Sequence, residues 1–304
     1  MTLKEIVSKF EQYPKALTNG AGNLSKRWNC KKEDIYKARE IIRNRNPKLP
    51  KILVLDIETS PLKAYVWSRW KQNIHLEQTI SEWFMLTWSA KWLFSTDVMS
   101  NRLTPEEVLN EDDSRIVKRI WELIDEADII LTHNGEKFDT PRLNSRFIIN
   151  ELNPPSPYQQ IDTLKAAREF GFSSNKLDAL ATYFGIETKL RTDFELWSRC
   201  MDGDEESLKY MEEYNRKDVD ILEEVYLRIR PWIKRHPNIS LYLETDKLTC
   251  SNCGSSKIVP TDKFYYTAAG KYKVYRCACG THTRGRKNLY DKSKKDTLTL
   301  SLGR

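Results

Sequence analysis

Apolar positions along the chain repeat with two different periods. At "KILVLDIET" (51–59) four apolar residues run without a break, and then Asp56, Ile57 and Glu58 alternate. This predicts a buried strand with two carboxylates at its end. Side chains on a strand alternate faces, so Asp56 and Glu58 share one face while Ile57 points the other way. "FMLTWSAKWLF" (84–94) reads as one or two further strands and "DIILTHN" (128–134) as another buried one. Between them, "SRIVKRIWELIDEA" puts Ile116, Ile120 and Ile124 on one face of an amphipathic helix. "DEESLKYMEEYNRKDVDILEEVYLRIRPWI" predicts a long helix stopped by Pro231. From residue 49 to 243 this alternation is an α/β layer pattern.

The flanks read differently. In "NLSKRWNCKKEDIYKAREIIRN" Leu24 and Trp28 are four apart and Ile35 and Ile42 seven apart, with Asn29 and Cys30 between. Two helices around a tight turn follow, resembling a helix-turn-helix with Ile35 inward and Lys31, Lys32 and Lys37 outward. DNA contact and simple packing are equally open for it. This helical segment is expected over 1–48, ending near Pro47 and Pro50. At the other end, 244–304, Cys250-x2-Cys253 is followed by Cys277-x-Cys279, with an alternating, hairpin-like stretch turning at "AAG" between them. Two cysteine knuckles on a hairpin look like a zinc ribbon, with one structural Zn²⁺ on four thiolates. The shortened second knuckle leaves His282 open as a substitute ligand. Cys30 and Cys200 stand alone and read as small buried hydrophobes.

The chain has 304 residues, 39% hydrophobic and 31% charged, enough for one medium α/β domain with attachments. Its N-terminus carries charge every few residues, so no signal peptide is read. No apolar run is long enough to span a bilayer, and a cytoplasmic protein with no membrane partner is expected. Clustered cysteines there favour metal over disulfide. Net charge is +7 but segregated: residues 1–50 hold 12 Lys and Arg against 5 Asp and Glu, and residues 250–304 hold 12 against 3. Basic flanks on an acidic centre suit an enzyme that binds a polyanion. In the tail, Arg284, Arg286, Lys287, Lys292, Lys294 and Lys295 read equally as phosphate contacts or as a solvated terminus.

Two adjacent carboxylates at a strand end call for a cation. "HNGEKFD" (133–139) ends on Asp139 just past a buried strand, where Phe138 would anchor the start of a helix. "YNRKD" sets Tyr214 and Asp218 four apart, on one face of the long helix. An Asp-x-Glu, an Asn-x3-Phe-Asp and a Tyr-x3-Asp, in that order, resemble the DEDDy group of DnaQ-like 3′→5′ exonucleases, which have the ribonuclease H-like fold. "DIETSPLKAYVW", "LTWSAKWL", "PSPYQQIDTLKAA", "NKLDALATYFGI" and "YNRKDVDILEEVY" extend the resemblance over residues 51 to about 240. Their look is that of the phage and bacterial ribonuclease H-like proteins related to family B polymerase exonuclease domains.

The resemblance implies a mixed sheet flanked by helices and a metal-dependent 3′→5′ exonuclease acting on single-stranded ends, with DNA as first substrate. Two Mg²⁺ or Mn²⁺ ions would be used: Asp56 bridging both, Glu58 and Asp218 completing the site that activates water, Asp139 supporting the other ion. Tyr214 would orient the attacking hydroxide. Thr59, Asn134 and Phe138 would bind substrate. The setting implied is a bacterial or phage-infected cell, with replication or repair proteins left open as partners. Two other readings stay in view: an RNA or structure-specific nuclease, and a nucleic-acid-binding adaptor that uses the fold as a scaffold.

Neighbouring residues are read more plainly. His133 is expected to be structural, Asp162 and Asp178 to bond locally or shape a substrate channel, and Asp220 to be a solvated or helix-pairing charge. Of Trp67, Trp70, Trp83, Trp88 and Trp92, most are expected in the core or at its rim, with one near the terminal nucleotide.

Overall fold

The run at 52–59 becomes the central strand of a mixed sheet because both of its faces are covered. In a computed structural model, which describes residues 1–13, 16, 19–44, 49–186, 190 and 192–300, β1 (Ile52–Thr59) lies between two strands of opposite sense. After it come a short hairpin, β2 (Lys63–Ala64) with β3 (Thr79–Ser81), and then β4 (Met85–Trp92) and β5 (Met99–Arg102). Helices α4 (Pro105–Leu109) and α5 (Ser114–Glu126) lead to β6 (Ile129–Thr132), α6 (Asp139–Ile149), β7 (Gln159–Asp162), α7 (Thr163–Ala167), α8 (Leu177–Tyr183), α9 (Phe194–Met201) and α10 (Glu205–Ile229), where α denotes helix. These follow three N-terminal helices at Leu3–Gln12, Ala21–Trp28 and Lys32–Asn44, and are numbered from α4 so that the three are α1 to α3. The sheet order is β5-β4-β1-β6-β7, with β4 antiparallel to β1 and β6 and β7 parallel to it. This is the ribonuclease H-like mixed sheet flanked by helices that was expected.

The alternation of β1 sorts its neighbours. Leu53, Leu55 and Ile57 enter a core with Trp88, Ile116, Ile120, Ile124, Leu143 and Phe147, from β4, α5 and α6. Ile52 and Val54 face the other way, onto Val219, Leu222 and Tyr226 of α10. Asp56 and Glu58 continue that second face, so α10 lies along the side of the sheet from which they project. "FMLTWSAKWLF" is one strand, with β5 added beside it.

α1, which the periodicity did not reveal, closes a small bundle: Ile6 and Phe10 pack on Leu24, Trp28, Ile35 and Ala38. Asn29 ends α2 with φ 48°, the left-handed turn between α2 and α3. The outward set expected on α3 is corrected at Lys32, whose Nζ pairs with buried Glu224 of α10 at 3.0 Å. Tyr36 donates to the same carboxylate at 2.9 Å, and its ring lies 4.5 Å from the ammonium of Lys91 on β4. Lys91 is itself held at 2.9 Å by both Asp220 and Glu223. Asp220 is therefore the partner of a buried strand lysine, not a solvated charge. Burial of so many ions is tolerable only because each is paired. The expected boundary at Pro47 and residue 48 lies outside the described residues.

Downstream, β8 (Ile258–Thr267), β9 (Gly270–Cys277) and β10 (His282–Asn288) form an antiparallel sheet, with a two-residue turn at Ala268 and Ala269. Arg284, Arg286 and Lys287, expected in a tail, lie on β10. Lys292, Lys294 and Lys295 follow on α11 (Lys292–Asp296). The cysteine end of the sheet sits on the end of α10, where buried Asn252 donates to the Arg230 carbonyl at 2.9 Å and Arg230 donates back to the Asn252 carbonyl. No helix among the described residues is long and apolar enough to cross a membrane.

Candidate metal centre and cysteine site

The three parallel strands end side by side, and the candidate residues gather at those ends, the usual place for a site in an open α/β sheet. From β1 come Asp56 and Glu58. From α10, one oxygen of Asp218 lies within 4.8 Å of one oxygen each from Asp56 and Glu58. Asp139 begins α6 and is 2% exposed; its Oδ1 accepts the Ile57 N–H at 3.2 Å, which sets it beside the trio. Tyr214, one turn before Asp218 on α10, hydrogen-bonds the Asp218 carboxylate. Sequence spacing thus brings all four acids and the tyrosine together, with three of the acids in one ligand-sized group.

Electrostatically the site is unsatisfied. Burial pushes the Asp56 carboxyl well above its ordinary range, with Asp139, Glu58 and Asp218 adding to it and an Asn215 hydrogen bond of 2.7 Å opposing. Burial likewise lifts Glu58 to about 8, helped by Asp218 and Asp139. Asp139 rises to about 7 by burial, against backbone hydrogen bonds, and Asp218 to about 7 by burial, against Tyr214. The charges that weigh most on Asp56, Glu58 and Asp218 are other carboxylates, while Arg142 opposes them at Asp139. Clustered hard oxygens that repel one another in this way fit one or more divalent cations.

A stability prediction follows. Folded-state pKa values raised above unfolded ones mean the folded chain binds more protons between about pH 4 and 8, so its stability without metal falls as pH rises through that window. Metal-free protein is expected to melt higher at pH 5.5 than at pH 8. Millimolar Mn²⁺ or Mg²⁺ should raise the melting temperature at pH 8 by roughly 5–10 °C and do far less at pH 5.5. Differential scanning fluorimetry across pH checks this, and a metal effect independent of pH would contradict it.

The other expected residues fall nearby. Thr59 is buried and accepts from Arg142 at 2.6 Å; Phe138 caps α6, with that guanidinium 4.3 Å from its ring centroid. Arg142 also lies 4.7 Å from the Trp83 ring. Asn134 has φ 74°, and its N–H donates to Asp162 at 2.9 Å. Asp162 also caps α7, the local role expected of it. His133 bonds Thr163 at 2.8 Å, and burial holds its pKa down, as suits a structural histidine. Asp178 lies close enough to Asp218 to raise its pKa.

Three residues were missed. Asn215 sits inside "YNRKD" yet reads as filler until helix packing brings it to Asp56. Arg142 lies one turn beyond Asp139 on α6, where nothing local marks it. Gly135 fills a turn so tight that a Cβ would lie 2.2 Å from the Thr132 hydroxyl; the Asn-Gly dipeptide was its signal. Of the tryptophans, Trp88 is core, Trp92 packs against that core and Trp83 is partly buried, as expected of most of them, while Trp67 and Trp70 on the β2–β3 loop are 94% and 82% exposed. That loop is covered by neither face of the sheet.

At the second site one sulfur each from Cys250, Cys253, Cys277 and Cys279 lies within 4.8 Å of the others. Cys250 and Cys279 are 3.7 Å apart and Cys253 and Cys277 3.5 Å, far beyond a disulfide bond. A tetrahedral ion with bonds of about 2.3 Å to sulfur spaces its ligands by about 3.8 Å. Their chemistry fits a thiolate metal site, and exposed His282 is outside the group.

With this geometry in hand, comparison with known proteins defines the class. A family model described as RNase H superfamily matches residues 91–230, a segment that includes Asp139, Tyr214 and Asp218. The chain therefore carries a ribonuclease H-like superfamily domain. Among solved structures it is similar to the family B DNA polymerase from the hyperthermophilic archaeon Pyrobaculum calidifontis, at 16% identity and a TM-score of 0.45. The similarity covers 60% of this chain and 25% of that one, so the chain matches about a quarter of the polymerase's length. No curated protein matches the chain.

Proposed function

We propose that the chain is a metal-dependent 3′→5′ exonuclease that hydrolyses phosphodiester bonds at single-stranded ends, DNA first, within residues 49–243, flanked by a helical segment at 1–48 and a zinc ribbon at 244–304. One observation carries the reading: Asp56, Glu58 and Asp218 offer oxygens within 4.8 Å of one another, beside Asp139, where the charges that weigh most on them are other carboxylates. Divalent ions bound there would supply a hydroxide nucleophile and stabilise the leaving alkoxide.

The protein's own groups do the rest. Asn215 orients Asp56, and the Ile57 N–H fixes Asp139. Tyr214 holds its hydroxyl on Asp218, where burial and the surrounding carboxylates keep its pKa well above the ordinary tyrosine value. It stays protonated at neutral pH, so it would act as a donor, its one O–H turning from Asp218 to an incoming oxygen, and not as a base. Arg142, bonded to Thr59 and near enough to Asp139 to act on its carboxyl, would offer its guanidinium to a phosphate oxygen.

Digestion of single strands labelled at the 5′ or the 3′ end tests the proposal. With Mn²⁺ or Mg²⁺, 5′-labelled DNA is expected to shorten in a ladder while 3′ label is released as mononucleotide; with chelator, neither. Internal fragments as first products would contradict exonuclease action. Parallel RNA and duplex substrates separate the DNA reading from the RNA or structure-specific one, and metal-independent binding without cleavage would favour the adaptor.

A further inference from the structure

The sheet formed by β8, β9 and β10 interleaves aromatic rings with unpaired cations on both faces. Register pairs Tyr265 with Tyr272, and Arg284 of β10 with Val274, so these lie on one face; Lys271 pairs with Tyr266 on the other. The Arg284 guanidinium rests 4.5 Å from the Tyr272 ring centroid and 5.3 Å from that of Tyr265. Lys271 sits 4.0 Å from the Phe264 ring and 5.9 Å from Tyr266. Phe264, Tyr265 and Tyr266 are exposed consecutive residues, and Val259 beside them is exposed too. An isolated sheet that turns its largest rings to water on both sides is not using them for a core.

Charge points the same way. Residues 250–304 hold 12 Lys and Arg against 3 acids, and among the described residues none of these cations is in an ion pair. Both β8 and β10 break register, between Pro260 and Phe264 and between Arg284 and Asn288. The β10 bulge pushes Arg286 and Lys287 outward, where both are exposed. Rings stack on unpaired bases, and cations between them meet phosphates at intervals along a strand. Duplex DNA hides its base faces and would gain only the charge.

We propose that this sheet is a second nucleic-acid contact, gripping a single strand by stacking bases on Tyr265, Tyr266 and their ring neighbours while Arg284 and Lys271 pair with phosphates. Its place in the reaction rests on the nuclease reading. The cysteine end of the sheet is docked at Arg230, twelve residues along α10 from Asp218, so about 18 Å of helix separates that docking point from the metal site, while Tyr265, Tyr266 and Lys271 lie at the opposite, turn end of the sheet. A strand held at both must therefore be several nucleotides long, which a four-nucleotide strand tests.

Binding is measured by fluorescence anisotropy in the full-length chain carrying Asp56→Asn, with labelled oligothymidylate of about 30 nucleotides, a four-nucleotide version and a duplex of equal length. Expected are tighter binding of the long single strand than of either other probe, and a loss of about tenfold for it in the Tyr265→Leu, Tyr266→Leu double variant, which keeps every charge. Metal content of the cysteine site, equal in parent and variant, shows that the sheet still folds. Should the double variant lose metal, the Arg284→Gln, Lys271→Gln pair, which leaves the rings in place, decides by the same loss. Unchanged affinity in the metal-loaded variant, or duplex bound as tightly as single strand, overturns the proposal. Failure of the nuclease reading looks different: ring-dependent binding persists while the unsubstituted chain, with Asp56 intact, cleaves nothing.

Discussion

Asp56→Asn is expected to lower metal-dependent cleavage at least about a thousandfold, a loss of about 4 kcal/mol of transition-state stabilisation, while leaving the chain folded. Asp56 is the most acid-crowded member of the site: three carboxylates raise its pKa, and it shares a strand face with Glu58. Asparagine keeps the shape and can still accept the Asn215 hydrogen bond, but it removes one charged oxygen ligand. Because the deleted charge is buried and repelled, the variant should melt no lower than the parent at pH 8 without metal, and its gain from Mn²⁺ should shrink. End-labelled digestion and thermal melting together check the claim. Activity within tenfold of the parent, or a variant that fails to fold, would count against the four-carboxylate assignment.

The second large effect concerns the cysteine site. Cys277→Ser, or removal of the bound metal by a chelator, is expected to unfold the sheet of residues 258–288. That sheet has almost nothing else to hold it: its buried cluster consists of Cys250, Cys277 and Cys279, with Cys253 and Ile258 packed beside them. A thiolate metal site of this kind supplies on the order of 10 kcal/mol of apparent binding energy at neutral pH, which here replaces a hydrophobic core. Limited proteolysis followed by mass spectrometry should show cuts appearing between residues 255 and 290 while fragments carrying residues 51–230 resist. Protection unchanged after complete metal loss would mean that strand pairing alone suffices.

What was legible in the sequence is what local periodicity encodes. The strand that ends in Asp56 and Glu58, the helix that carries Tyr214 and Asp218, and the paired cysteine knuckles all announce themselves within a few residues. Order along the chain then identified Asp139. What stayed hidden depends on contacts between distant segments. Asn215 reaches Asp56 across 159 positions, and Lys91 reaches Asp220 across 129, so no spacing rule could join them. Asp220 was misjudged because a helical wheel shows which way a side chain leaves its own helix, not that a strand lysine is waiting there. Which tryptophans would be exposed stayed hidden for a related reason: density in sequence does not show that Trp67 and Trp70 fall in a loop that leaves the sheet. Gly135 is visible as half of an Asn-Gly turn, although only the Thr132 hydroxyl beneath it shows why no other residue fits.

The seam between α3 and α10 makes α1 to α3 a fixed wall of the domain that carries the candidate site. Glu224 is 2% exposed, and both of its described side-chain partners, Lys32 and Tyr36, come from α3. A fragment begun at Lys51 would strand that carboxylate, together with Glu223 and Lys91, at a newly wetted surface, on the same rigid rod that carries Asp218 one to two turns away. Trimming the N-terminus should therefore soften the candidate metal site itself, because the same helix carries both the stranded carboxylates and Asp218.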